Sequence, residues 1–184
     1  MRAATLLIVA VLTIAGCAAN PARLSVPPEP SAVSERVSAR SVLVGDISLP
    51  EYANAPEVVR ETEDGLIETL PGVIWADVPQ DAMANAIVRN LSQTTGVSVA
   101  RAPWPLSSFP HAEVTIRVER MLLEVGGQLD LSGQFAIRRD GGAGSERIRT
   151  FDLTVPVAGA ELTDIADAHA TAWRALAEQI AGDL

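Results

Sequence analysis

The stretch VTIRVERMLLEVGGQLDLSGQFAIRRDGGAGSERIRTFDLTV, residues 114–155, carries three strand-like alternations in a row. Val114, Ile116 and Val118 alternate with Thr115, Arg117 and Glu119, the period of two that marks a half-buried strand. Gly126-Gly127 turns this run into a second alternation through Leu129, Leu131, Gly133, Phe135 and Ile137. Asp140 to Ser145, with three glycines, turns that into a third, where Ile148, Thr150, Asp152 and Thr154 alternate with Phe151, Leu153 and Val155. Three long strands joined by short turns form an antiparallel meander, and one face of it must be covered.

The cover follows in the chain. Leu162, Ile165, Ala166, His169, Ala172, Trp173, Leu176 and Ile180 make an apolar stripe at helical spacing, with Thr163 or Asp164 as the expected cap. An earlier helix opens at Asp77, the expected N-cap, with Pro79 in its first turn. Val78, Ala82, Met83, Ala86, Ile87 and Leu91 lie on one face, and Gly96 stops it. Upstream, Ser41 to Ser48, Glu57 to Thr62 and Leu66 to Trp75 read as extended, the last broken by Pro71-Gly72, and Val97 to Ala100 adds a further strand. The expectation is an α+β domain over residues 41–184. It has an antiparallel or mixed sheet with a long C-terminal meander, covered on one face by two helices.

Before the domain come two other compositions. Met1-Arg2 and the apolar run Ala3 to Ile14 are too short to span a bilayer, and they end in Leu12-Thr13-Ile14-Ala15-Gly16-Cys17. This resembles the bacterial lipobox, so residues 1–16 are expected to be a lipoprotein signal peptide and Cys17, the only cysteine, the lipidated first residue of the mature chain. Several acyl chains at about 0.8 kcal/mol per buried CH₂ would hold it on a membrane essentially permanently. Residues 17–40 are rich in Pro, Ser and Ala around Pro27-Pro28-Glu29-Pro30 and read as a flexible tether.

Composition narrows the function. Among 184 residues the 14 basic ones are all Arg, and with 23 acidic residues the formal charge is −9. Without a basic run the chain is not built for nucleic acid. Two His and one Cys leave no ligand set for structural zinc, and no Walker loop, dinucleotide fingerprint, nucleophile elbow or H-E-x-x-H is present, so no cofactor and no catalytic residue are expected. The glycines of residues 141–144 are read as hairpin turn residues, not a phosphate cradle. His169 is expected in the core, His111 as a cap at a strand start, and Asp77, Asp81 and Glu119 as structural acids. Partner contact is the more promising role. Trp104, Leu106 and Phe109 sit in a loop stiffened by Pro103, Pro105 and Pro110, and a rigid apolar loop loses little entropy on binding. Trp75 is the other candidate contact, with a staple against the first helix as its structural alternative.

The order of motifs completes the reading. Val44-Gly45-Asp46-Ile47-Ser48-Leu49-Pro50-Glu51-Tyr52 is followed by Pro56-Glu57-Val58-Val59-Arg60 and by Trp75-Ala76-Asp77. Then come Arg89-Asn90-Leu91, Pro103-Trp104-Pro105 and a strand starting near His111. This series resembles the auxiliary lipoproteins of ABC-type intermembrane lipid transporters, whose best-known branch is the paraquat-inducible lipoprotein C. The resemblance implies a non-catalytic lipoprotein on the periplasmic face of the outer membrane. Its implied partners are a mammalian-cell-entry-type (MCE) transport protein and that protein's ABC transporter, with the chain docking the transport tube or ring. The alternative is a lipoprotein scaffold or activator of a peptidoglycan enzyme. The meander also leaves an edge strand that a second copy could extend into a homo-oligomer.

Overall fold

The computed structural model describes residues 20–139 and 146–184, so the signal peptide, Cys17 and the glycine turn at 141–144 lie outside the described residues. At its centre is the expected meander. Strand β6 (Ala112–Glu124) pairs antiparallel with β7 (Gln128–Arg139), which pairs antiparallel with β8 (Glu146–Pro156). Val114, Ile116 and Val118 point into the core opposite Ile137, Phe135 and Gly133. The alternation then slips, because Val118 faces Gly133 and Arg120 faces Ser132, leaving Glu119 as the extra residue of a β-bulge. After the bulge Met121 and Leu123 point inward, so the inward series changes phase without leaving the core. Gly133 opposite the bulge is required by close approach: a Cβ there would lie 2.2 Å from the Arg117 carbonyl oxygen.

The other flank of β6 is shared. Strand β2 (Ser41–Ser48) runs parallel to its first half, with Val42, Val44 and Ile47 inward, while β3 (Glu57–Glu61) meets it near its end, Arg60 opposite Leu123. Strand β5 (Ser98–Arg101) extends the sheet parallel to β2, and β4 (Ile67–Trp75) forms a hairpin with β3. The sheet is therefore mixed and eight-stranded. The parallel β2–β5 pair is closed by a crossover through β3, β4 and α1.

Two helices pack on one face of this sheet, as expected. Helix α1 (Pro79–Thr95) buries Met83, Ala86, Ile87 and Leu91, and ends at Gly96, whose φ of 69° and N–H bond to the Ser92 carbonyl make a left-handed cap. Its N-cap is Val78, not Asp77. Asp77 accepts from the Val78 N–H instead, because Pro79 at the first helical position has no N–H to offer a capping carboxylate. Helix α2 (Leu162–Asp183) is capped by Glu161 in a reciprocal capping box with Asp164, so Asp164 is the third helical residue of that box and Thr163 lies inside the helix.

The largest departure lies before β2. Residues 22–40 are not a free tether but a strap. Strand β1 (Ala22–Leu24) pairs parallel with Val73 to Trp75 and buries Leu24. From there the chain crosses the helices. Glu29 pairs with Arg174, Ser31 Oγ donates to Glu178, the Glu35 N–H donates to the Thr94 carbonyl, and the Ser38 N–H to the Leu184 carbonyl. Prolines reduce the entropy such a segment loses on docking, so a few anchors (Leu24, Val26, Val37 and Ala39) suffice to hold it.

Candidate functional site

The topology separates the molecule into two ends. Strands β2, β5 and β6 begin at one of them, where β7 and α2 finish; β3, β6 and β8 finish at the other, where β4 and α2 begin. The candidate contact loop, residues 102–111, lies at the first end, between β5 and β6. Trp104 is half-buried, and its indole N–H donates to the Ser108 carbonyl at 2.5 Å, closing the loop on itself. That bond and the three prolines hold Leu106 and Phe109 outward. Phe109 is 88% exposed, so it does not close the core, and Leu106 is exposed beside it.

Arginines frame the same end. Arg40 lies 2.8 Å from His111 Nε2, and the His111 N–H donates to Ser41 Oγ. Arg138 pairs with Glu113, and Arg147 with Asp183 at 2.7 Å, while Arg139 donates to the Asp183 carbonyl. The structure thus brings Trp104, Leu106 and Phe109 together in a setting of guanidinium groups that sequence spacing did not indicate, because the arginines arrive from the end of the strap, β7 and β8.

Trp75 is not part of this surface. It is buried at the end of β4, its ring stacked on Trp173 with centroids 6.4 Å apart and meeting the edge of His169 at 4.9 Å. Its ring packs on α2, and it also borders a cleft with Ala82 and Ala86 of α1. The role of Trp75 as a surface contact is therefore corrected, since a β4 residue facing the helices has no solvent side. His169 occupies the core as expected. It is fully buried, its Nδ1 has no partner, and burial lowers its pKa to about 3, so it is neutral.

The opposite end is acidic. The β3–β4 hairpin carries Glu61, Glu63, Asp64 and Glu68, with Leu66 and Ile67 exposed beside them. Behind it Arg120 binds Glu124, and also Glu61 at 3.4 Å and Asp130 at 3.8 Å. The bond from Arg120 holds the Glu124 carboxyl below its ordinary value, while burial pushes Asp130 up. A groove of about 490 Å³ opens between this hairpin and the start of α2, floored by Leu70, Leu123, Val157 and Ile165.

Neither end assembles catalytic machinery among the described residues. No group of three His, Cys, Asp or Glu there could hold a metal ion, and Asp81 is engaged by Arg101 at 2.5 Å. Glu119 is the exposed residue of the bulge. No helix among the described residues is long and apolar enough to cross a membrane.

These features define a class: a two-layer α+β domain whose notable groups sit on surfaces at its two ends. The chain belongs to the family of ABC-type transport auxiliary lipoprotein components, whose model matches residues 23–181. That match begins in β1, so the strap is part of the family domain. Among solved structures, an uncharacterized protein aligns over 90% of this chain and 99% of its own, with a TM-score of 0.72 at 19% identity. A Xanthomonas campestris protein of the DUF330 family aligns over 88% of this chain and 91% of its own, with a TM-score of 0.65 at 18% identity. PelC from Paraburkholderia phytofirmans, described as a dodecamer, aligns over 82% and 92% at 13% identity with a TM-score of 0.45. Among curated proteins none matches the sequence.

Proposed function

We propose that this chain is a non-catalytic, lipid-anchored subunit of a transport system that moves lipid between two membranes. In this reading it sits on the periplasmic face of the outer membrane through lipidated Cys17 and docks the periplasmic end of an MCE-type protein. The observation that carries the reading is Phe109: a large apolar side chain left almost fully in water on a loop braced by prolines and by the Trp104 bond is suited to a partner and does nothing for the core. Leu106 extends the apolar contact.

A cell-wall enzyme activator fits less well. With residues 22–40 strapped to the domain, only four residues separate Cys17 from β1, too few to carry the domain far from the membrane. The test is recovery of partners from solubilised envelopes by the full lipidated chain and by a Leu106→Ser/Phe109→Ser variant with unchanged thermal stability. Recovery of an MCE-type subunit by the first and its loss with the second is expected. Recovery of a peptidoglycan enzyme, unaffected by the variant, would overturn the reading.

A further inference from the structure

We infer that the β3–β4 hairpin end lies directly on the leaflet that carries the anchor, with Leu66 and Ile67 at the boundary between headgroups and acyl chains. The inference rests on Cys17 being lipidated and adds what that anchor does to the domain's orientation.

Chain length limits how far the domain can stand from its anchor. Strand β1 runs parallel to β4 with Ala22 beside Val73, so the chain enters β1 at the end that faces the β3–β4 hairpin. Five residues from Ala22 to Cys17 extend at most about 17 Å. Ile74 lies opposite Glu57, beyond a bulge in β4 after which Thr69 faces Val59; from Glu57 to the tip at Glu63 is about 20 Å at strand spacing. A cysteine held at the membrane interface therefore cannot leave the hairpin far above it. The strap removes the slack that a tether of 23 residues would have given.

What the hairpin presents suits that position. Leu66 is 65% and Ile67 44% exposed, adjacent in sequence, and neither belongs to the core. The charges around them choose the lipid. Glu63 and Asp64 at the tip remain beyond the pairs Arg60–Glu68 at 2.7 Å and Arg120–Glu61 at 3.4 Å, so the surface suits zwitterionic headgroups and is repelled by anionic ones. The contact loop with Phe109 then points away from the membrane, because β6 alone separates the ends by roughly 36 Å.

The test uses the full lipidated chain in phosphatidylcholine vesicles. Acylation blocks Cys17, so Leu66→Cys or Ser107→Cys offers a single thiol for an environment-sensitive fluorophore. Spin-labelled lipids are expected to quench the label at 66 at least about threefold more than that at 107, with a blue shift at 66 only. The quenching at 66 should weaken when phosphatidylglycerol is included at low salt. A label at 66 as exposed to water as that at 107 overturns the inference. So does a blue shift that grows with the protein-to-lipid ratio, which would mark contact with a second copy. Intact mass separates the two claims: an unmodified Cys17 defeats the anchor as well, whereas acylated Cys17 with residue 66 in water defeats this orientation alone.

Discussion

Replacing His169 by Leu tests how the core is built, and its effect depends on pH. The native imidazole is fully buried between Trp75 and Trp173, with its pKa lowered to about 3 by desolvation, while an unfolded chain has the ordinary value of 6.5. A base whose folded pKa is depressed contributes stability that is complete above pH 6.5 and is lost as the pH falls toward 3, because the unfolded state then binds a proton the native state refuses. At pH 5 about thirty unfolded molecules are protonated for each that is not, which corresponds to about 2 kcal/mol lost relative to pH 7.5. His169→Leu removes this term along with an unpartnered nitrogen, so it is expected to be near neutral at pH 7.5 and more stable than the wild type at pH 5. Urea unfolding of the chain from residue 18, followed by tryptophan fluorescence at the two pH values, measures the difference. Equal losses in wild type and variant between pH 7.5 and pH 5 would show that the buried imidazole does not set this pH dependence.

Other outcomes follow from named contacts. Gly133→Ala puts a methyl group 2.2 Å from the Arg117 carbonyl oxygen and 2.9 Å from Val118 Cα, so it should cost about 3 kcal/mol or more; a melting temperature within a degree or two of wild type would contradict the bulge geometry. Leu24→Ser is expected to cost about 2–4 kcal/mol and to release the strap, making Arg36 and Arg40 early sites of limited trypsin cleavage, whereas in the wild type they resist. Arg120→Gln leaves Glu61, Glu124 and Asp130 facing one another, and should lower stability at pH 7 by about 1 kcal/mol in these partly exposed surroundings. The Glu124 part of that loss shrinks as the pH falls through its lowered pKa, so the variant and wild type should converge in acid denaturation.

Much of this fold is legible along the chain. The three alternating runs from Val114 to Val155, the two apolar stripes and Gly96 each depend on local periodicity or on one residue's backbone freedom, so each could be read without knowing its neighbours. What was not legible is long-range. Residues 22–40 are read as a tether because their anchors, Leu24, Val26, Val37 and Ala39, follow no period and bury themselves against α1, α2 and β4, which lie far along the sequence. The parallel pairing of β2 with β6 and the slip at Glu119 are likewise decided by the partner strand. The helix caps fall one residue after Asp77 and two or three before Thr163 and Asp164, since Asp and Thr are good caps in general and the backbone chose Val78 and Glu161. In the candidate site, the exposed apolar loop was visible from its prolines, but the burial of Trp75 and the arginine frame required the fold.

In the proposed arrangement the Phe109 end meets the transport partner while the opposite end stays at the membrane. Photo-crosslinking from a benzoylphenylalanine at position 109 in intact envelopes tests it most directly. The predicted product joins this chain to an MCE-type subunit and is absent when the same probe stands at position 66. A product to that subunit from 66 and none from 109, in a folded, lipidated chain, would contradict the claim.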